Sequence, residues 1–221
     1  MRRGEVFAGG QYKEIEARIA ALLNDRPGML SADTRGSPRA VGDAVRKILS
    51  EELRSILGDL CGEYSAGFAR RAMADIEFKD REGVRYVVDV KTHRLDTAFN
   101  MPNLISVERL ARLYERDDCY FVILVVNYRL AGMGIHVEAV HFVPIEFLSW
   151  DCLTIGALGW GQIQIANASK TVVDEYSSRK TWMIRLCEVL LQFYPREMRK
   201  LETRLEHFKK IKEAWRARPE D

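Results

Sequence analysis

The sequence predicts an α/β fold in which a mixed central β-sheet is flanked by helices. Residues 73–79 and 84–92 alternate between apolar and polar positions, as strands do, and residues 81–83 form the turn between them. Residues 104–116 have helical spacing of apolar positions. Residues 119–128 form a continuous apolar run, which is typical of a strand covered on both faces. Strand, helix and buried strand together predict a βαβ unit with a right-handed crossover.

Two helices are predicted before this unit. Residues 11–24 carry one apolar stripe, and a turn-rich stretch follows. Residues 39–60 then predict a long amphipathic helix. Its apolar face consists of Val41, Val45, Ile48, Leu49, Leu53, Ile56 and Leu57.

The C-terminal half adds strands at 135–143 and 161–165 and ends in helix. Pro195 is predicted to start the last helix. Near-heptad spacing in that helix is shown by Met198, Leu201, Leu205, Phe208 and Trp215. No Pro/Gly/Ser-rich linker divides the chain, so we expect one domain over 1–221, with a helical part at 11–60, an α/β core at 73–180 and C-terminal helices at 180–217.

Composition excludes several classes of protein. Hydrophobic residues make up 47% and charged residues 30%, and the net charge is +2, so a DNA-binding surface must be a local basic patch. The four cysteines form no CxxC pair and predict neither a zinc site nor a disulfide framework. No apolar run is long enough to cross a membrane and no signal peptide is evident, so we expect a cytoplasmic protein without membrane contact.

Two carboxylates and a lysine are predicted to meet on the hairpin. In the strand 84–92, Asp89 and Lys91 point to the same side, roughly 7 Å apart along the chain. Asp75 lies on the preceding strand, which the hairpin brings alongside. Carboxylates are hard oxygen ligands for Mg²⁺, and a lysine stabilises charge that develops on a phosphate. The triplet that begins at Glu77 and ends at Lys79 is a competing candidate, but Asp89 lies inside an apolar run.

The sequence Asp75…Asp89-Val90-Lys91 resembles the PD-(D/E)xK nuclease motif on its strand hairpin, with Ala74 where the proline often stands. The chain is most similar to type II restriction endonucleases, especially the EcoRV-like branch. Three segments carry this resemblance, at 35–45, 88–92 and 162–169. They resemble a helix before the catalytic hairpin, the catalytic strand, and a strand leading into a base-reading loop.

The resemblance implies roles for these residues. It implies that Asp75 and Asp89 bind Mg²⁺ and that Lys91 is the catalytic lysine. It also implies an acid on the preceding helix, for which Asp43 fits best and Glu52 is the alternative. Glu77 lies two residues after Asp75 and shares its face of the strand, so Glu77 is a further candidate at the border of the metal site. The implied protein is a bacterial or archaeal restriction-endonuclease-like enzyme that hydrolyses both strands of double-stranded DNA at a short palindromic site.

Two polar loops are candidates for contacting DNA. After the catalytic strand, His93 and Arg94 could hold phosphates, and Asn100 or Asn103 could reach a base, although a helix N-cap is the alternative for Asn103. The second loop follows residues 161–165, and its alternative is a plain surface turn. Its candidates, together with two residues that open the next helix, are Asn167, Ser169, Lys170, Thr171, Arg179 and Lys180.

Other functions remain open from the sequence. A repair or junction-resolving nuclease of the same superfamily would share the active centre. A DNA-binding protein without cleavage would use the cluster as structure only. A third alternative is an α/β interaction domain whose terminal helix mediates assembly. A nuclease with one active centre per subunit cuts both strands most simply as a two-fold symmetric homodimer, so we expect a homodimer.

Overall fold

The computed structural model describes residues 4–66, 75–97, 101–166 and 171–219. Five α-helices are present in these ranges: α1 (Gln11–Asn24), α2 (Ala32–Arg35), α3 (Pro38–Leu57), α4 (Val107–Leu113) and α5 (Arg179–Arg216). The strands are β1 (Glu63–Ala66), β2 (Ile76–Lys79), β3 (Arg85–Arg94), β4 (Asn103–Ser106), β5 (Cys119–Ala131), β6 (Gly134–Pro144), β7 (Leu153–Gly156) and β8 (Gln162–Ile165). None of the described helices is long and apolar enough to cross a membrane.

The strands form two sheets. The larger is a mixed sheet in the order β1-β2-β3-β5-β6, in which β3 and β5 are parallel and all other neighbours are antiparallel. The smaller is antiparallel in the order β4-β8-β7. The predicted α/β class with a mixed central sheet is confirmed, as are the hairpin of β2 and β3 and the parallel pairing of β3 with the buried strand β5.

The chain divides into two compact units, Met1–Tyr176 and Ser177–Asp221. The first contains both sheets and α1 to α4, and the second consists mainly of α5. The sequence analysis expected a single domain whose last part, 180–217, is helical.

The aromatic core lies behind the hairpin. The rings of Phe78 on β2 and Tyr86 on β3 stack at 4.6 Å, and Tyr86 stacks on Tyr120 of β5 at 5.5 Å. Phe7, from a short 3-10 helix near the N-terminus, packs against the last two rings. Helices α1 and α3 pack against β6 and β3 respectively. This packing leaves the odd-numbered side chains of β3 on the opposite face of the sheet.

The turn between β2 and β3 is held by a buried carboxylate, Asp80. Its oxygens accept hydrogen bonds from the amides of Glu82 and Val84 and from the hydroxyl of Tyr86, at 2.8–3.0 Å. Asp80 is buried because it satisfies backbone amides that the tight turn leaves unpaired, and this fixes the register of the two strands.

The segment expected to be one helix at 104–116 is a short strand followed by a short helix. Ile105 and Ser106 pair with β8, so the chain is extended there. The side chain of Ser106 then accepts a hydrogen bond from the amide of Arg109 and caps α4. Pairing with β8 satisfies the backbone hydrogen bonds of these residues. This stabilises the extended conformation over the helix that the apolar spacing predicted.

Pro195 does not start a helix, since α5 is continuous from Arg179 to Arg216. The helix begins instead at Ser178, whose side chain accepts a hydrogen bond from the amide of Thr181 at 3.1 Å. A proline inside a helix costs about 3 kcal/mol. The long runs of helix-forming residues on both sides of Pro195 offset that cost.

Candidate active site

The hairpin of β2 and β3 places Asp75 opposite Asp89. Ile76 pairs with Val88 in the antiparallel register, and Asp75 is the next residue outward. The amide of Asp75 donates to the carbonyl of Val88 at 3.0 Å. The Oδ2 atom of Asp75 accepts from the amide of Val90 at 2.8 Å. These two bonds hold the carboxylate of Asp75 against the middle of β3.

Asp89 and Lys91 lie on one face of β3, as the alternation predicted. The Nζ atom of Lys91 is 2.9 Å from Oδ1 of Asp89. The side chain of Asp89 is only 11% exposed, whereas that of Lys91 is 25% exposed. The structure therefore brings together the three residues that the sequence predicted to form the catalytic cluster.

The two oxygens of the Asp89 carboxylate have different surroundings. Its Oδ2 atom is buried and has no hydrogen-bond partner among the described residues. Burial raises the pKa of the Asp89 carboxyl to about 7, and the nearby Asp75 also raises it, while Lys91 and Arg46 act in the opposite direction. A buried, unpaired carboxylate oxygen beside a second carboxylate is suited to binding a cation.

Arg46 of α3 links the helix to the hairpin. Its Nε atom is 2.9 Å from Oδ1 of Asp75, and its Nη1 atom is 2.8 Å from Oδ1 of Asp43. The helix approaches the strand closely at Gly42, where a Cβ atom would lie 2.8 Å from Oγ1 of Thr92. Glycine at this position therefore allows α3 to bring Arg46 to the site. Sequence reasoning missed Arg46, although its spacing of three residues from Asp43 on a helix was visible.

Two further candidate metal ligands are bound elsewhere. Asp43 pairs with the guanidinium of Arg46, and the same guanidinium pairs with Asp75. Glu77 forms two hydrogen bonds of 2.6 Å with Arg85. No group of three or more Asp, Glu, His or Cys side chains in the described part of the chain is arranged to hold a metal ion. The two-carboxylate site at Asp75 and Asp89 still fits Mg²⁺, which usually takes one or two protein carboxylates and keeps several waters.

Two competing candidates, Lys79 of the hairpin and Glu52 of α3, form ion pairs elsewhere. The Nζ atom of Lys79 is 2.8 Å from Oε2 of Glu63 on β1. Glu52, the alternative helix acid, pairs with Arg26. Neither interaction involves Asp75, Asp89 or Lys91.

The strand β3 continues past the cluster with two candidate DNA contacts. His93 lies two residues beyond Lys91 and shares its face of the sheet, and burial lowers the pKa of His93. Arg94 points to the other face and forms a bidentate pair with Asp96 at 2.6 and 2.8 Å. The geometry therefore places His93, but not Arg94, on the side of the cluster.

Other candidate DNA contacts are dispersed. Asn103 begins β4, and its side chain accepts a hydrogen bond from Gln164 at 2.6 Å, so it is not a helix N-cap. Thr171 lies between β8 and α5, while Arg179 and Lys180 begin α5 in the second unit. The remaining candidates lie outside the described residues, namely Asn100, Asn167, Ser169 and Lys170.

No protein-family model matches the chain. A search of curated proteins likewise gives no match. Any functional assignment therefore depends on the residues and contacts described above.

Proposed function

We propose that this protein is a magnesium-dependent nuclease that hydrolyses phosphodiester bonds in double-stranded DNA. The observation that carries the proposal is the cluster of Asp75, Asp89 and Lys91 on one hairpin, in which Oδ2 of Asp89 is buried and has no partner among the described residues. The arrangement of elements supports it. Helix α3 precedes the hairpin, as the resemblance to PD-(D/E)xK nucleases implied, and a helix-containing crossover leads to the parallel strand β5.

In this proposal Asp75 and Asp89 hold the metal ion. When bound, Mg²⁺ would polarise a phosphate oxygen and lower the pKa of a coordinated water. Asp89 has to lose its proton to act as a ligand, and since burial raises its pKa to about 7, binding is favoured at neutral and alkaline pH.

The two cations of the site would act on the phosphate. Lys91 is partly exposed and held next to Asp89, so its ammonium can stabilise the negative charge that grows on the phosphate during hydrolysis. Arg46 fixes one oxygen of Asp75 and keeps 40% of its own side chain exposed, so its guanidinium can also reach a phosphate.

The finer assignment is a type II restriction endonuclease that acts as a homodimer on a short palindromic site. It is supported by the resemblance of three segments to that family, together with the need to cut two strands of opposite polarity. Two copies related by a two-fold axis would place one cluster on each strand.

Cleavage of phage DNA by the purified protein tests the proposal. We expect discrete fragments with Mg²⁺ and intact DNA with EDTA, while a smear would replace the restriction assignment with a non-specific nuclease. Lys91→Ala should reduce the cleavage rate by roughly 100- to 1,000-fold, the usual loss for one group that stabilises the transition state.

Lys79→Ala is the matched control, because Lys79 lies on the neighbouring strand and pairs with Glu63 instead of the cluster. We expect its cleavage rate to stay close to that of the unmodified protein. Intact DNA under all conditions refutes the nuclease, and loss of activity in Lys79→Ala but not Lys91→Ala refutes the choice of site.

A further inference from the structure

A seam of exposed apolar side chains runs along α5. Its members are between 37% and 75% exposed and are separated alternately by three and four residues. They are Leu191, Tyr194, Met198, Leu201, Leu205 and Phe208. This spacing is that of the a and d positions of a coiled coil over about 25 Å of helix. Such a continuous apolar stripe on a helix indicates a surface that binds another helix.

The charges beside the seam decide how a second copy can bind. With Leu191 at position a, Glu197 and Arg204 occupy g positions, and Glu202 and Lys209 occupy e positions. A parallel pair of α5 helices brings g of one copy against e of the other. It would therefore set Glu197 against Glu202 and Arg204 against Lys209, and both contacts are repulsive. The charge pattern disfavours a parallel homodimer.

An antiparallel pair brings g against g and e against e. The register that centres the two-fold axis between residues 199 and 200 sets Glu197 of one copy against Arg204 of the other, twice. Within its own helix Glu197 is 2.6 Å from Nζ of Lys200, so Arg204 of the second copy would join or replace that contact. Its core layers are then all apolar, pairing Leu191 with Phe208, Tyr194 with Leu205, and Met198 with Leu201. If the register shifts by half a heptad, Arg204 of one copy instead faces Arg204 of the other, and Glu202 faces Glu202. Both of these contacts are repulsive.

The same register has two further complementary features. At the g positions outside the charged pair, Leu190 of one copy would meet Ile211 of the other. The layer next to these six sets Cys187 of one copy against Lys212 of the other, and beyond it the exposed Ile184 of one copy would meet the exposed Trp215 of the other. All apolar positions of the seam are thus paired by one register.

We propose that two copies of this protein associate through α5 as an antiparallel coiled coil centred between residues 199 and 200. The occupant of the seam is a second copy of the same chain, because its apolar positions can pair with themselves and its flanking charges attract in the antiparallel orientation but repel in the parallel one. This association is argued from the helix alone and does not depend on nuclease activity.

Charge reversal followed by sedimentation tests both the partner and the orientation. In EDTA and without DNA, the unmodified protein should sediment at micromolar concentration with twice its mass of 25.4 kDa. Glu197→Arg and Arg204→Glu each make both g–g contacts repulsive, so each should raise the dimer dissociation constant about tenfold. An equimolar mixture of the two variants restores both attractive contacts and should recover the dimer.

Lys210→Glu is the matched control, because it makes the same charge change as Arg204→Glu at an f position, away from the seam. It should leave the dissociation constant unchanged, and circular dichroism should show the same helix content in all variants. A monomer at every concentration overturns the proposal. Tighter association of either single variant indicates the parallel orientation and overturns it as well, as does a dimer that none of the seam variants weakens.

Discussion

Asp89→Asn should stabilise the protein, and the gain should grow as the pH rises. Burial raises the pKa of Asp89 from 3.8 to about 7 in the folded protein. A carboxyl with a raised folded pKa is protonated more readily in the folded than in the unfolded state, so its contribution to stability is lost as the pH rises from about 4 to about 7. Asparagine keeps the Oδ1 acceptor for Lys91 but carries no buried charge.

The size of the stabilisation by Asp89→Asn follows from the shift in the pKa of Asp89. One pKa unit is about 1.4 kcal/mol, so the cost of ionising Asp89 on folding reaches about 4 kcal/mol above pH 7 and is less than half of that at pH 5. The gain from Asp89→Asn should therefore be about 3 kcal/mol greater at pH 8 than at pH 5. For a chain of this length, that difference corresponds to about 6–12 °C in Tm.

Thermal unfolding in EDTA at the two pH values measures this difference directly. Asp59→Asn is the control, because the Asp59 side chain is 95% exposed and should show no gain that depends on pH. If Asp89→Asn destabilises the protein equally at pH 5 and pH 8, the Lys91 ammonium fully compensates the buried charge. The argument from burial would then be refuted.

Three further outcomes are expected. At pH 8, Mg²⁺ should raise the Tm of the unmodified protein but not that of Asp89→Asn, because only the ionised carboxylate binds the ion; an equal rise in both would place the metal elsewhere. Ca²⁺ in place of Mg²⁺ should support DNA binding in a gel-shift assay without cleavage, since it accepts the same ligands with looser geometry, and rapid cutting in Ca²⁺ alone would contradict the mechanism. Arg46→Ala should lower kcat/KM roughly 100-fold, with Lys47→Ala as a neighbouring control, and an unchanged rate would make the contact of Arg46 with Asp75 purely structural.

The hairpin of β2 and β3 could be predicted because the pattern of each strand is visible in its own local sequence. Apolar positions alternate along β3, and a single tight turn connects it to β2. The register that places Asp75 beside Asp89 then follows from the length of the turn. The buried strand β5 could be predicted as well, because a continuous apolar run is typical of a strand that is covered on both faces.

Elements that depend on distant partners could not be predicted in this way. The strand β1 has mostly exposed residues and exists because it pairs with β2 at the edge of the sheet. The strand β4 depends on β8, some sixty residues later in the chain. Arg46 looks like an ordinary helix-surface residue, and its place at the site becomes visible only when Gly42 brings α3 against β3.

The structure also bears on the choice between the two acidic triplets of the hairpin. Glu77 has both of its oxygens bonded to Arg85, so its charge is already satisfied within the protein. Asp89 has one oxygen bonded to Lys91 and a buried second oxygen without a partner among the described residues. An unpaired buried polar atom typically costs about 1–3 kcal/mol. A fold that needed Asp89 only for stability would gain by replacing it with a neutral side chain, whereas a site that binds a cation requires that oxygen to be unpaired until the cation arrives.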